Sequence, residues 1–357
     1  MLTLLIGYQG STKSTYAVKL AKEQDTVSSL QTCSENRHHS PNDAVSSLQT
    51  CSENRQHFPN DAVILSRDDA GGKLSDLLPA VKKLLKENKN VILDNTHLTK
   101  ESRKQFIELA KELGAEVHAV HIDSPIEDCQ IRILHRMYTT HGDIFFTGKG
   151  TKKAAKDPHV FPISVLFAAR KNFEAPSDSE GFTQINKIKV VAPTFSATDG
   201  YVNKALFLDI DGTIRETEHL ENKYPTDPKD CQLIKERSVM RKKLDKYISD
   251  GYQLIGVSNQ SGISKGILTE EVADACFDKI RELLGYDDQE FPIIYCPHRS
   301  VPISCYCRKP QSGLGVWAIE NYKLAPQECI MVGDRGTDRT FAERLGIRFV
   351  EASKFWS

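Results

Sequence analysis

Two aspartates, Asp209 and Asp211, close the apolar run Ala205 to Leu208 and are followed by Gly212. Side chains alternate along a strand, so two residues two apart leave its carboxyl end on the same side and share one crevice. Carboxylates placed in this way can divide a phosphoryl transfer between them. One attacks phosphorus, and its neighbour handles the proton on the leaving oxygen. Three later stretches supply what that chemistry still lacks: Ser258-Asn259-Gln260, Arg308-Lys309-Pro310 and Gly333-Asp334-Arg335-Gly336-Thr337-Asp338. They offer a hydroxyl and backbone N–H groups for phosphoryl oxygens, a Lys to neutralise those oxygens, and carboxylates for a hard metal ion. The sequence therefore predicts a phosphatase in this half of the chain.

A second metal is expected beside it. Cys296-Pro297-His298 and Cys305-Tyr306-Cys307 bring four soft ligands into one short loop, the number and types of a closed tetrahedral zinc site. With no ligand position left open, the zinc is expected to be structural, fixing the loop that carries Lys309.

The amino-terminal half carries a different chemistry. The apolar strand Leu2 to Ile6 runs into Gly7-Tyr8-Gln9-Gly10-Ser11-Thr12-Lys13-Ser14-Thr15 and then a helical pattern. In such a strand, glycine loop and helix, backbone N–H groups cradle phosphates, the Lys reaches the β- and γ-phosphates, and the next hydroxyl ligates Mg. Residues Gly7, Gly10, Ser11, Thr12, Lys13, Ser14 and Thr15 are thus the expected ATP-binding loop, with Ser14 on the Mg of Mg-ATP. Thr12 stands where the motif has its second glycine, and a β-branched residue there must avoid positive φ or carry about 1–3 kcal/mol of strain. Strands Ala62 to Leu65 and Val91 to Leu93 end in Asp68 and Asp94. Parallel sheets bind ligands outside the carboxyl ends of their strands, so Asp68 is expected as general base on a substrate hydroxyl and Asp94 as support for Mg. Arg132 and Arg136 lie four apart on one helix face and suit a lid over the triphosphate. The run Lys149 to Lys156, after Phe145-Phe146, suits a nucleic-acid backbone with aromatics for stacking, or simply a solvated loop.

These sites need two scaffolds. A chain of 357 residues is long enough for two separate cores. Expected boundaries are 1–192, a linker at 193–203, and 204–357. Lys and Arg total 47 against 48 Asp and Glu, so nucleic-acid binding would have to come from a local patch. No stretch reaches the length of a membrane span and the apolar start is too short for a signal peptide; a cytoplasmic enzyme with no membrane partner and reduced cysteines is expected. Residues 26–61 are a tandem repeat, TVSSLQTCSENRHHSPND then AVSSLQTCSENRQHFPND. Its polar content reads as a surface insertion, and its Cys33, His38, His39, Cys51 and His57 match no standard metal spacing.

From Ala205 to its end the chain resembles the haloacid-dehalogenase superfamily. That resemblance makes Asp209 the nucleophile that becomes aspartyl-phosphate, Asp211 the general acid/base, and Ser258, Asn259 and Lys309 the phosphate binders. It also puts Mg on Asp209, Asp334 and the Asp211 carbonyl, with Asp338 supporting from behind. The zinc loop, SNQSGI and CRKP are similar to heptose bisphosphate and histidinol phosphate phosphatases. In the amino-terminal half SRDD, VILDNT, the RILHR helix and FEAPSDSEGFTQI resemble the kinase domain of polynucleotide kinase-phosphatases, which implies ATP as phosphoryl donor. The fold implied is α/β in two domains, a P-loop NTPase-type parallel sheet followed by a capless haloacid-dehalogenase-type sheet. Three functions fit. The first is healing of nucleic-acid ends by 5′-hydroxyl kinase and 3′-phosphatase activities, with a ligase as partner. The second is a small-metabolite phosphatase fused to a weakened or small-molecule kinase, and the third a nucleic-acid-binding adaptor without catalysis.

Overall fold

The structure is a computed structural model that describes residues 1–29, 62–150, 154–190, 195–220 and 224–357. The tandem repeat, beyond the end of the first helix at Ser29, lies outside the described residues, as do Lys152 and Lys153 of the basic run.

Among the described residues, ten strands form two five-stranded sheets. The first holds β1 (Leu2–Ile6), β2 (Ala62–Leu65), β3 (Asn90–Asp94), β4 (Val117–Asp123) and β5 (Gln184–Lys189) in the order β2-β3-β1-β4-β5. The second holds β6 (Lys204–Leu208), β7 (Tyr252–Asn259), β8 (Ile293–Cys296), β9 (Ile330–Gly333) and β10 (Arg348–Glu351) in the order β10-β9-β6-β7-β8. Every strand pairing is parallel. Helical crossovers cover both faces of such sheets, and the central strands are accordingly continuous apolar runs: every residue of β1 is buried. Both sheets match the α/β fold expected from the sequence.

The chain separates into two compact units, Met1–Ser124 with Lys171–Val190, and Pro125–Arg170 with Val191–Ser357. The second unit thus includes a stretch that the expected boundary at 192 assigns to the amino-terminal domain. Its helix Ile126–His141 turns Ile126, Ile133, Leu134 and Met137 into the same core as Leu314 and Ile319 of the helix Gly313–Tyr322. Polar pairs fix the contact: His135 meets the buried Glu320 carboxylate, and Tyr201 donates to the same group at 2.7 Å. Among the described residues no helix is long and apolar enough to cross a membrane.

Candidate functional site

In the second sheet the strands that end in chemistry are neighbours. β6 delivers Asp209 and Asp211, with β7 on one side delivering Ser258 and β9 on the other leading into Asp334. The chain can turn at Gly212 because it has no Cβ: φ is +87° there, and a Cβ would lie 2.3 Å from an Asp334 carboxylate oxygen. Asp209, Asp211, Ser258, Asn259, Lys309 and Asp338 line one cleft of about 620 Å³, with Tyr224, Arg308 and Arg335 on its walls. Among the described residues, the chain between Asp209 and the start of β7 forms a short 3-10 turn and the helix Arg237–Ser249.

Lys309 is the pivot of this cleft. Its buried ammonium donates to Asp209 at 2.6 Å, to Asp338 at 2.7 Å and to the Val257 carbonyl at 2.5 Å. Burial would press its pKa down, yet the two carboxylates carry it above the ordinary lysine value. Carboxylate oxygens of Asp209, Asp334 and Asp338 all lie within 4.8 Å of one another. Three carboxylates against one ammonium leave an excess of negative charge, a donor set that fits a hard divalent cation. Asp338 is as close as the other two, so the cluster draws in a residue that the sequence placed behind it. Asn259, expected at the phosphate, uses its side chain on the main chain of Lys309: it donates to the carbonyl at 3.1 Å and accepts from the N–H at 3.0 Å.

Burial pushes the Asp209 carboxyl up to about 7; Lys309 draws it down, and Asp338 and Asp211 push it up. The metal-free protein therefore holds a proton that the unfolded chain releases near pH 4, and this group's contribution to stability falls as pH rises from about 4 to 7. Proton and divalent cation compete for the same oxygens. Apparent Mg affinity should then fall about tenfold per pH unit below 7. A thermal-shift titration with Mg at pH 5.5, 6.5 and 7.5 checks this, and an affinity independent of pH would contradict it.

One residue of this site, Arg215, was missed by the sequence reading, and another, Gln260, was named within its stretch but given no role. Arg215 is buried and grips Asp211 with two nitrogens, while Gln260 donates from one nitrogen both to Asp211 at 2.8 Å and to Ser258 at 2.8 Å. The sequence carries no signal for Arg215, since an arginine four residues after Asp211 reads the same whether it is buried or exposed.

The loop behind Cys296 gathers the four expected soft ligands. Sulfur to sulfur is 3.7 Å for Cys296 and Cys305, and the His298 Nδ1 lies 3.5 Å from Cys296 and 3.3 Å from Cys307. With metal bonds of about 2.3 Å to sulfur and 2.0 Å to nitrogen, a tetrahedron has edges of roughly 3.5–3.8 Å. Two of the observed edges fall in this range and the third, at 3.3 Å, lies just below it; the set fits zinc, and His298 would bind through Nδ1. All seven described cysteines are free of disulfides.

In the first sheet, β1 carries the glycine loop and lies directly beside β3, whose Asp94 is in register with Leu5, while β2 and Asp68 come one strand further out. Lys13 opens the helix Lys13–Ser29 and is buried, donating to the Tyr8 carbonyl at 2.6 Å; Ser14 and Thr15 are exposed. A Cβ at Gly7 would sit 2.7 Å from Ser11 Oγ, so the loop closes on itself only with glycine there. Among the described residues, Gln9 Oε1, Asn95 Nδ2 and both ring nitrogens of His97 are buried without a hydrogen-bond partner. Unsatisfied polar atoms at a glycine loop and beside Asp94 fit a polar ligand such as a nucleotide. The FEAPSDSEGF phrase also finds a role: Phe173 packs on Tyr8 of the loop at 5.3 Å, and Arg103, unremarked in sequence, bonds Glu180 through two nitrogens and reaches the His97 carbonyl. Asp68 is exposed beside Arg67. Arg132 and Arg136 are not in this unit; their helix packs in the other. Phe146 likewise packs against the core of the second unit, and its carbonyl accepts from the Tyr306 N–H.

Thr12 has φ of +71°, so the residue carries the strain that its β-branch implies. Thr12→Gly should raise the melting temperature by about 2–4 °C, since relief of roughly 1–3 kcal/mol exceeds the 0.5–1 kcal/mol that glycine adds in chain entropy. Thermal unfolding of the full chain decides it, and an unchanged or lower melting temperature would count against strain at this position.

Residues 2–149 match the family model described as AAA domain, and residues 204–356 match that described as polynucleotide kinase 3 phosphatase. A probable D-glycero-D-manno-heptose-1,7-bisphosphate 7-phosphatase of Thermoplasma volcanium is 37% identical over 154 residues, 41% of this chain and 96% of the relative. A histidine biosynthesis bifunctional protein of Legionella pneumophila is 33% identical over 154 residues, 43% of this chain but only 42% of its own length. Among solved structures, one titled as a Pnkp1/Rnl/Hen1 complex aligns with TM-score 0.32 and 15% identity, covering 98% of this chain and 95% of that one. The chain thus belongs, through its carboxy-terminal half, to the haloacid-dehalogenase-like phosphatases, and with an AAA-type P-loop domain ahead of it has the make-up of a polynucleotide kinase-phosphatase.

Proposed function

We propose that the chain heals nucleic-acid ends, phosphorylating 5′-hydroxyls from ATP with its first domain and removing 3′-phosphates with its second. The observation that supports this most is the pairing of the two site sets in one chain, a glycine loop with Lys13 and a cleft built on Asp209, Asp211, Ser258 and Lys309. In the phosphatase, Asp209 attacks phosphorus, Asp211 gives its proton to the leaving oxygen, and Ser258 and Lys309 hold the phosphoryl oxygens. The resulting aspartyl-phosphate is hydrolysed by water that Asp211 deprotonates. Mg held by Asp209, Asp334 and the Asp211 carbonyl would offset charge on the phosphoryl group, and zinc on Cys296, His298, Cys305 and Cys307 would fix the Lys309 loop. In the kinase, the loop and Lys13 hold ATP, Ser14 and Asp94 serve its Mg, and Asp68 takes the proton of the acceptor hydroxyl. The lid role expected of Arg132 and Arg136 is not carried over, because their helix packs in the second unit. The capless sheet expected from the sequence supports a polymer end as substrate, and a ligase would use the healed ends.

A second reading is supported by the relatives, which are named for heptose bisphosphate and histidine biosynthesis: a metabolite phosphatase beside a kinase of another substrate. A screen of heptose bisphosphate, histidinol phosphate and a 3′-phosphorylated oligonucleotide separates the two. End healing predicts that kcat/KM for the oligonucleotide exceeds the others by about tenfold or more, and preference for a sugar phosphate would reverse the assignment.

A further inference from the structure

Arg215 is among the largest fully buried side chains of the protein, 1% exposed, and it is charged. Taking a guanidinium out of water costs several kcal/mol unless every partner is in place. Here Nε and Nη2 both donate to Asp211 Oδ1, at 2.9 and 2.7 Å, Nη1 reaches Cys231 Sγ at 3.7 Å, and Cζ lies over the Phe277 ring, 5.6 Å from its centroid. The main chain repeats the connection, since Asp211 and Arg215 pair as a β-bridge and the Gly212 N–H donates to the Arg215 carbonyl at 2.9 Å. Gln260 holds Asp211 Oδ2 from the other side at 2.8 Å.

A buried ion pair contributes little net stability compared with apolar residues of equal volume. What it does supply is direction. Both contacts of the guanidinium fall on Oδ1 of Asp211 and the Gln260 contact falls on Oδ2, so each oxygen has its own donor and the two together set the orientation of the carboxyl group. Asp211 meanwhile lines the cleft.

We infer that Arg215 is a positioning residue of the phosphatase, aiming the Asp211 carboxyl group at the leaving-group oxygen. In the step it serves, the bond from an Asp209 oxygen to phosphorus forms, the bond from phosphorus to the leaving oxygen breaks, and the Asp211 proton passes to that oxygen. The inference rests on the reading of Asp211 as proton donor.

Leaving groups of different basicity separate this from a purely structural role. A nitrophenolate departs without a proton, whereas an alkoxide needs one. The Mg-loaded full chain and its Asp211→Asn, Arg215→Met and Arg215→Lys variants are assayed on 4-nitrophenyl phosphate and on an alkyl ester that the wild type accepts, glycerol phosphate or a 3′-phosphorylated oligonucleotide. Arg215→Met should lose about 10²-fold in kcat/KM on the alkyl ester and less than about fivefold on the nitrophenyl ester. Asp211→Asn should show the same selectivity more strongly, and Arg215→Lys should recover part of it. The ratio of the two esters within one variant is independent of how much of that variant is folded. Equal losses on both esters in the Arg215 variants, with Asp211→Asn still selective, would overturn the positioning role alone. A flat response in Asp211→Asn would overturn the proton-donor reading and the inference with it.

Discussion

Asp209→Asn should abolish phosphate release, by roughly 10⁴-fold or more, and leave phosphoryl transfer from ATP unchanged. The carboxylate is buried at the end of β6 and pairs with Lys309 at 2.6 Å, and an amide in its place neither attacks phosphorus nor supplies a charged metal ligand. Folding should survive the change. Lys309 keeps Asp338 at 2.7 Å, so no ammonium is left buried and unpaired, and one of three crowded carboxylates is removed. A melting temperature equal to or above the wild type is therefore expected together with the lost activity. Phosphatase activity above a tenth of the wild type in Asp209→Asn would remove this residue from the chemistry.

Withdrawing zinc is expected to have the second largest effect. Cys307 stands two residues before Lys309, so the four soft ligands and the Lys309 ammonium proposed to hold phosphate share one short loop. Without the cation, three buried thiols and an imidazole remain at distances set for a tetrahedron, and the loop loses the cross-link that holds it. Cys305→Ser, or treatment with a zinc chelator, should cost roughly 3–5 kcal/mol, a fall in melting temperature on the order of 10 °C, and about 10²-fold in phosphatase rate. Kinase activity should hold, because the glycine loop belongs to the other compact unit. Metal analysis of the purified protein gives the direct reading: one zinc per chain is expected, and a chain without zinc that keeps full phosphatase activity would refute the structural role.

What the sequence made legible and what it concealed follow from the physics of each element. Apolar runs ending in Asp209, Ser258 and Asp94 announced parallel strands delivering polar residues to one edge, because a strand buried on both faces leaves few other readings. The four soft ligands of the zinc loop were legible for a similar reason: they lie close in sequence, so the chain brings them together whatever the rest does. Arg215 was concealed. Nothing in a one-dimensional pattern tells a buried arginine from an exposed one, and its value depends on a turn that folds it back four residues onto Asp211. The helix Ile126–His141 was half legible. The spacing of Arg132 and Arg136 showed a helix with one basic face but not the surface its other side would cover, which is the helix Gly313–Tyr322 nearly two hundred residues away. Thr12 was legible as a conflict, and its positive φ settles which side of the conflict the chain takes.

The most direct measurement of end healing uses two oligonucleotides, one with a 5′-hydroxyl and one with a 3′-phosphate, incubated with Mg and γ-labelled ATP beside the Lys13→Ala and Asp209→Asn variants. Label should enter the first oligonucleotide and phosphate should leave the second, with Lys13→Ala losing only the former and Asp209→Asn only the latter. Release of phosphate from small esters alone, with no label transferred to any end, would contradict the account.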